Sequence, residues 1–231
     1  GPAERNRTMS GNMDDPYDSF SYIEEQLSSS GAEALFFFPT GDQGEYDHNP
    51  PWRDHDYGEI FRRYDSLFGS GLHPSYRSAG RPKILKTEAD RFHAITGHYP
   101  EKARQHWLLL TLPGTYQAYE EAGIRFDYTM GFNDEPGFRA GIARPFPFYD
   151  LSAERETGLT IVPFQVMDGT LRQYMHLQPD AALDVIGSLI TETRRVGGLF
   201  VSIWHNTSLN EGNGWEGWRR VFEETLVMQK G

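Results

Sequence analysis

Apolar and polar positions along the chain alternate between two periods, one typical of buried strands and the other typical of amphipathic helices. Short apolar runs of strand length lie at about residues 33–38, 70–73, 103–107, 124–128, 159–164 and 198–204. Helical patterns lie between them, at about residues 56–68, 82–96, 114–122, 180–196 and 215–228. Six strands that alternate with helices predict a parallel α/β fold.

The first element of the chain is predicted to be a helix. Asp15-Pro16 supplies a cap and a proline at the first helical position, and Gly31 ends the segment. A closed α/β barrel needs at least one strand more than the six identified. We therefore expect the first strand to lie upstream, in a longer natural protein.

Two further segments have their own interpretation. Gly1-Pro2 resembles the remnant of a cleaved tag, so residues 1–12 are interpreted as a tag or leader and residues 13–231 as the folded domain. The stretch from Thr129 to Glu156 is rich in glycine, proline and aromatic residues and is longer than an ordinary connection. Loops of that length are usually functional or lid-like.

Charge and composition exclude several classes of partner. The formal net charge of −11 argues against nucleic acid and anionic membranes, which favour basic surfaces, and leaves neutral or cationic ligands such as sugars or amines. The absence of cysteine removes disulfides, thiolate nucleophiles and cysteine-based zinc sites. No apolar run approaches the roughly 20 residues of a membrane helix, and no signal peptide is recognisable. The expected location is the cytoplasm, and the oligomeric state is left open.

Three histidines end three separate strand-like runs: His73, His106 and His205. Parallel strands that alternate with helices bring their carboxyl ends to one edge, where active sites of such folds lie. Imidazole is a common ligand of catalytic zinc and a common general acid near neutral pH. His106 is also consistent with a buried structural side chain, because Trp107 and leucines follow it.

Several short strings, in this order and spacing, resemble the polysaccharide deacetylase family, also called carbohydrate esterase family 4 or the NodB-homology domain. The resemblance is closest to a divergent bacterial branch and extends from Asp15 to the last helix. The strings are His73-Pro74-Ser75-Tyr76-Arg77-Ser78, Arg104-Gln105-His106, Asp127-Tyr128-Thr129-Met130-Gly131, Gly137-Phe138-Arg139-Ala140-Gly141 and Trp204-His205-Asn206.

The resemblance implies a distorted (β/α) barrel of about seven parallel strands and a hydrolase that removes an N-acetyl or O-acetyl group from a sugar. It also implies a divalent metal, most often zinc. Such a metal polarises the acyl carbonyl and activates water, while a carboxylate takes the water's proton and an imidazolium protonates the leaving amine. The expected substrate is a surface polysaccharide or its precursor.

Individual roles follow from the same resemblance. His73 matches the first metal-binding histidine, but Arg77 stands where the second is expected, and His106 is our candidate replacement. His205 matches the general acid, and Arg104 matches an arginine that pairs with the catalytic carboxylate.

Two aspartates are candidates to orient His205. Asp127 is our first choice and Asp168 our second. Six residues are assigned to substrate binding: Ser75, Tyr76, Arg77, Arg139, Trp204 and Asn206. Five aromatic residues suit either stacking on sugar rings or core packing: Trp52, Tyr76, Phe146, Phe148 and Tyr149.

The family's first motif, a strand that ends in paired aspartates, is not found in this sequence. Asp14-Asp15 follows a polar segment and is better interpreted as a helix cap. Either the motif lies upstream, which we favour, or the chain is a catalytically degenerate member that binds saccharides. A weaker alternative is a metal-independent glycoside hydrolase that uses Asp127 and Asp168 as its two carboxylates.

Overall fold

The computed structural model describes residues 18–230 of the chain. Six α-helices and eight strands lie in this range. The helices are α1 (Phe20–Ser30), α2 (His55–Phe68), α3 (Pro82–Thr96), α4 (Gly114–Glu121), α5 (Pro179–Arg195) and α6 (Trp218–Met228). The strands are β1 (Phe36–Phe38), β2 (Ser70–Leu72), β3 (Lys102–Ala103), β4 (Phe126–Asp127), β5 (Phe146–Asp150), β6 (Arg155–Ile161), β7 (Val166–Met167) and β8 (Ser202–Ile203).

Some expectations fall on the first residues of the chain. The helix start at Asp15-Pro16, the Asp14-Asp15 pair, the Gly1-Pro2 tag remnant and the leader at residues 1–12 lie outside the described residues. Among residues 18–230, no helix is both long and apolar enough to cross a membrane.

The strands form one large sheet and one small sheet. In the large sheet the order is β1-β2-β3-β4-β6-β5, with every pair parallel except β5 and β6. Strands β7 and β8 pair in parallel in the second sheet. The predicted α/β architecture with a mainly parallel sheet is confirmed. The strand hydrogen bonds between residues 18 and 230 close no barrel.

The stretch from Thr129 to Glu156 is less irregular than its composition suggests. It contains β5, which pairs antiparallel with β6 at the edge of the large sheet. Pro147 obscures the strand pattern because proline cannot donate a ladder hydrogen bond, and an edge strand is where a sheet tolerates it. Phe146 and Phe148 pack against the main core, whereas Tyr149 is exposed.

Apolar side chains from the helices cover both sheets. The main core lies between the large sheet and α2, α3 and α4, and includes Phe61, Phe92, Leu72, Tyr119 and Ile161. A second core joins the small sheet to α5 and α6. Because these helices cover the faces of the sheets, the loops at the carboxyl ends of the strands are left to form the site.

Candidate active site

The loops that follow β2, β3 and β8 carry His73, His106 and His205. The His73 N–H donates to Phe38 O and the His106 N–H donates to Pro74 O, each at 3.0 Å. These bonds hold the first two loops side by side, and the His73 and His106 ring centroids lie 4.9 Å apart. The predicted convergence of these two strand ends is therefore present in the fold.

A hydrogen bond of His73 fixes which of its two ring nitrogens carries the proton. Its Nδ1 lies 2.5 Å from the carbonyl oxygen of Arg104, which can only accept a hydrogen bond. Burial lowers the pKa of His73 well below 6.5, and the positive charge of Arg104 lowers it further. The ring is therefore neutral, with its proton on Nδ1 and a lone pair on Nε2.

His106 is fixed in a similar way by a carboxylate. Its Nδ1 lies 2.8 Å from Oδ1 of Asp47, whose side chain is only 1% exposed. The same oxygen accepts the Tyr76 N–H at 2.8 Å. The proton of a neutral His106 is thus held on Nδ1, and Nε2 carries the lone pair.

His205 forms a dyad with Asp168. Its Nδ1 lies 2.7 Å from Oδ1 of this fully buried carboxylate, while about half of the His205 side chain is exposed. Oδ2 of Asp168 accepts the His205 N–H at 2.7 Å and the Ser208 hydroxyl. Burial favours the neutral acid, but the charge and hydrogen bonds of His205 outweigh it and keep the pKa of Asp168 below its usual value.

Asp127 was our first choice for the carboxylate that orients His205. That prediction is wrong, because its carboxylate bonds to other residues. The Asp127 carboxylate is completely buried and accepts hydrogen bonds from Tyr116 Oη at 2.9 Å and Thr129 Oγ1 at 2.5 Å. Burial raises its pKa to about 6. Asp127 therefore stabilises the sheet beneath the loops, and Asp168 is the partner of His205.

Arg104 lies within the site but forms no close carboxylate pair with any residue between 18 and 230. Its guanidinium carbon lies 4.7 Å from the centre of the Phe37 ring. Burial lowers the pKa of Arg104 to about 10, and the negative charge of Asp168 opposes that shift. The pairing of Arg104 with the catalytic carboxylate stays a prediction.

Two residues assigned to substrate binding belong to the protein interior instead. Ser75 is buried, and its N–H and hydroxyl both donate to Glu88, at 2.9 and 2.5 Å. Trp204 packs against both smaller cores, and its ring centroid lies 5.1 Å from that of Phe222. The motif does not separate them from their neighbours, because Ser75 precedes half-buried Tyr76 and Trp204 precedes exposed His205.

The other four substrate-binding candidates differ in position. Tyr76 and Arg77 lie beside the Asp47 loop, with Tyr76 half-buried and Arg77 exposed. The backbone carbonyl of Asn206 accepts a hydrogen bond from Ser19 at 2.7 Å. Arg139 donates to Gly131 O at 3.0 Å, so it braces the 129–145 loop internally.

A buried polar network supports the loops that carry His73 and His106. The side-chain amide of Gln105 donates to Ser75 O at 2.8 Å and to Ser78 Oγ at 3.2 Å. Tyr119 Oη donates to Gln105 Oε1 at 3.2 Å, and the Gln105 N–H donates to Thr129 Oγ1 at 3.0 Å. With Glu88 on the other side of Ser75, these bonds fix the backbone from which both imidazoles extend.

The ring nitrogens of His73 and His106 are of the type that binds divalent cations. Zinc binds neutral imidazole nitrogen, and metal-bound histidines usually donate their other N–H to a carbonyl or carboxylate, as His73 and His106 do here. Oδ2 of Asp47 is buried and has no hydrogen-bond partner within residues 18–230. The two Nε2 atoms are thus the candidate metal ligands, with Asp47 behind one of them.

The site nevertheless lacks a complete set of three closely spaced ligands among the described residues. In that range, the only group of three possible ligand residues whose donor atoms all lie within 4.8 Å is His55, Asp56 and Glu59. That group is exposed at the start of α2, and its members pair with one another. Exposed acidic groups of this kind are common in proteins that bind no metal, so we assign no function to this one.

Sequence reasoning missed Asp47, the buried carboxylate nearest to the metal candidates. It lies in the long polar loop that follows β1, after Gly44-Glu45-Tyr46. A usable signal existed, because the end of β1 must meet the ends of β2 and β3 at one edge of a parallel sheet. Asp47 was overlooked because acidic residues in polar loops are usually solvated.

Comparison with known proteins supports the fold. No protein-family model and no curated protein matches the sequence. A structure from Mycobacterium smegmatis, provisionally assigned as a polysaccharide deacetylase, is similar over 98% of this chain and 77% of its own, with a TM-score of 0.63 and 17% identity.

Two further solved structures are similar. A 4-α-glucanotransferase from Thermococcus litoralis matches 92% of this chain and 34% of its own, with a TM-score of 0.56 and 13% identity. A protein from Bordetella bronchiseptica, provisionally assigned as a polysaccharide deacetylase of O-antigen biosynthesis, matches 91% of this chain and 77% of its own, with a TM-score of 0.49 and 16% identity. At such identities, the M. smegmatis and T. litoralis structures, with TM-scores above 0.5, show a shared fold.

Proposed function

We propose that this protein is a metal-dependent hydrolase that removes an acetyl group from an acetylated sugar of a surface polysaccharide or of its precursor. The observation that carries the proposal is shared by all three histidines of the site. Each has Nδ1 within hydrogen-bond distance of a protein oxygen, which leaves Nε2 available for a ligand or a proton. The M. smegmatis structure of the same fold adds support from a protein provisionally assigned to this activity.

In this proposal His73 and His106 hold the metal through Nε2, and zinc is the expected ion. A divalent cation there would polarise the acyl carbonyl and lower the pKa of the attacking water. Asp47 and the Arg104 carbonyl fix the orientation and tautomer of the two rings. Residues 18–230 supply no third close ligand beside these two imidazoles.

His205 is proposed to carry the proton. Because no carboxylate base is assigned among residues 18–230, His205 Nε2 is proposed both to take the proton of the attacking water and to return it to the leaving nitrogen or oxygen. Acetate and the free amine or alcohol result. Asp168 stabilises the imidazolium that forms in between. Arg104 holds positive charge near Asp168, and Tyr76, Arg77 and Asn206 are the proposed contacts with the sugar.

A second candidate function is a saccharide-binding protein of the same fold that has lost catalysis. Two observations favour it: Arg77 replaces the expected histidine, and residues 18–230 show no third close ligand near His73 and His106. This candidate predicts saccharide binding that survives chelation of metals. The glycoside hydrolase alternative loses its support, because Asp127 is fully bonded inside the protein and Asp168 is paired with His205.

Acetate release from acetylated oligosaccharides by the zinc-loaded protein tests the proposal. We expect release by the unmodified chain and a loss of about a hundredfold or more in His73→Ala. His93→Ala is the matched control, since His93 stacks on Tyr99 at the surface of α3 with ring centroids 4.5 Å apart. Saccharide binding without acetate release would favour the second candidate.

A further inference from the structure

Three aromatic side chains from three loops form a continuous surface beside His106. We call Tyr46, Tyr76 and Trp107 the aromatic platform. The Tyr46 ring centroid lies 4.5 Å from that of Tyr76 and 5.8 Å from that of Trp107. The Trp107 ring lies 6.2 Å from the His106 ring. The platform therefore adjoins the proposed reaction centre directly.

Trp107 combines a solvent-exposed side chain with a strained backbone. Its side chain is 53% exposed, although burial of a tryptophan is strongly favourable. Its backbone has a φ of 58° and that of Leu108 a φ of 51°, in the left-handed region that non-glycine residues avoid. Exposed apolar surface and backbone strain in one residue are typical of functional surfaces.

Polar contacts fix the platform relative to the site. The Trp107 indole N–H donates to Tyr46 O at 3.2 Å, which sets the plane of the indole. Oδ1 of Asp47 accepts the Tyr76 N–H and lies 2.8 Å from Nδ1 of His106. One buried carboxylate therefore positions both the platform and the histidine.

We propose that the aromatic platform binds a pyranose ring of the substrate, next to the sugar whose acetyl group is removed. A gluco-configured pyranose has equatorial hydroxyls, so its two faces expose C–H groups that suit an aromatic surface. The exposed guanidinium of Arg77, which lies against Gly44 in the Tyr46 loop, donates to the ring hydroxyls. A neutral saccharide also suits a protein with a net charge of −11.

This inference rests on the proposed function for its class of ligand, and binding without catalysis separates the two. Calorimetry with tetra-N-acetylchitotetraose and EDTA-treated protein measures affinity in the absence of turnover. We expect saturable binding by the unmodified chain and a loss of about tenfold or more in Trp107→Ala, as for other aromatic anchors. Trp107→Phe keeps an aromatic face and should retain most of the affinity.

Tyr99→Ala is the matched control, because Tyr99 is as exposed as Trp107, at 53%, and lies in the connection between α3 and β3. It should bind like the unmodified chain. Equal affinity in Trp107→Ala, or no binding by the unmodified chain, would overturn the platform. Binding that depends on Trp107, together with no acetate release by the zinc-loaded protein, would uphold the platform and contradict the deacetylase.

Discussion

Oδ1 of Asp47 lies 2.8 Å from Nδ1 of His106 in the loop that follows β3. The contact joins residues 59 positions apart in the chain and brings a fully buried carboxylate to the back of a candidate metal ligand. Carboxylate–histidine pairs of this kind orient metal-binding imidazoles and raise their basicity. Asp47 therefore holds the His106 ring in one orientation.

Loss of the Asp47 carboxylate should weaken metal binding. In Asp47→Ala we expect zinc affinity to fall about 10- to 100-fold, because the His106 ring loses its orienting partner. Competition with a chromogenic chelator measures the change. Asp42→Ala is the control, since Asp42 lies in the same loop but forms an exposed ion pair with Arg91. Unchanged zinc affinity in Asp47→Ala would rule out this role.

The dyad of His205 and Asp168 should set the catalytic rate. Asp168→Asn replaces a carboxylate that stabilises charge on His205, so we expect kcat to fall about 100-fold or more with little change in KM. Steady-state kinetics of acetate release measures both constants. Asp168 also accepts hydrogen bonds from two backbone N–H groups and one hydroxyl. The midpoint of thermal unfolding is therefore measured as well, to separate a loss of stability from a loss of rate. A normal kcat would show that His205 needs no anionic partner.

Asp127→Asn should behave differently from Asp168→Asn. Asp127 is bonded to Tyr116 and Thr129 and does not touch His205, so its replacement should reduce stability while kcat stays within a few-fold. The comparison is made well below the unfolding temperature of both variants. A larger loss of kcat in Asp127→Asn than in Asp168→Asn would return Asp127 to the catalytic role.

Glu88 should make the stability of the protein depend on pH. Burial raises its pKa from the usual 4.5 to about 7. The folded protein therefore holds this proton more tightly than the unfolded chain does. The stabilisation is complete below pH 4.5 and is lost as the pH rises towards 7, by up to about 3 kcal/mol. Glu88→Gln should flatten this part of the curve in denaturant titrations.

Glu121→Gln is the matched control for that experiment, since Glu121 is an exposed residue at the end of α4. Its stability curve should keep the slope of the unmodified chain between pH 4.5 and 7. If Glu88→Gln keeps the slope as well, the buried carboxyl does not titrate in this range.

Trp204→Ala tests the reassignment of Trp204 to the core. Its ring packs on Phe222 and its indole N–H donates to Ser202 Oγ at 3.1 Å. We expect a loss of about 3 kcal/mol in the free energy of unfolding, as for other large-to-small core substitutions. Saccharide affinity at a temperature where the variant is folded should be unchanged. Loss of affinity with normal stability would restore Trp204 to the binding surface.

The elements with strong periodicity were predictable from the sequence. Helix α5 has an apolar stripe through Ala182, Ile186 and Ile190, and these residues are buried as the stripe predicts. Strand β7 is only two residues long, and β5 contains Pro147, so neither shows a clear alternation. Such short strands are defined by their neighbours in the sheet, which the local sequence does not encode.

The site was predictable at the level of strand ends but not of individual contacts. His73 and His106 meet because parallel strands end at one edge, and that follows from topology. The choice of Asp168 over Asp127 depends on which way each side chain points at the end of its strand. A shift of one residue reverses that direction, and the sequence leaves it open.

Zinc binding by the unmodified chain and by a His73→Ala, His106→Ala double variant tests the central claim most directly. Equilibrium dialysis gives the number of zinc ions bound per chain. The account predicts one tightly bound ion in the unmodified chain and none in the double variant, with both proteins folded by circular dichroism. Zinc that the double variant retains, or no zinc in the unmodified chain, would contradict it.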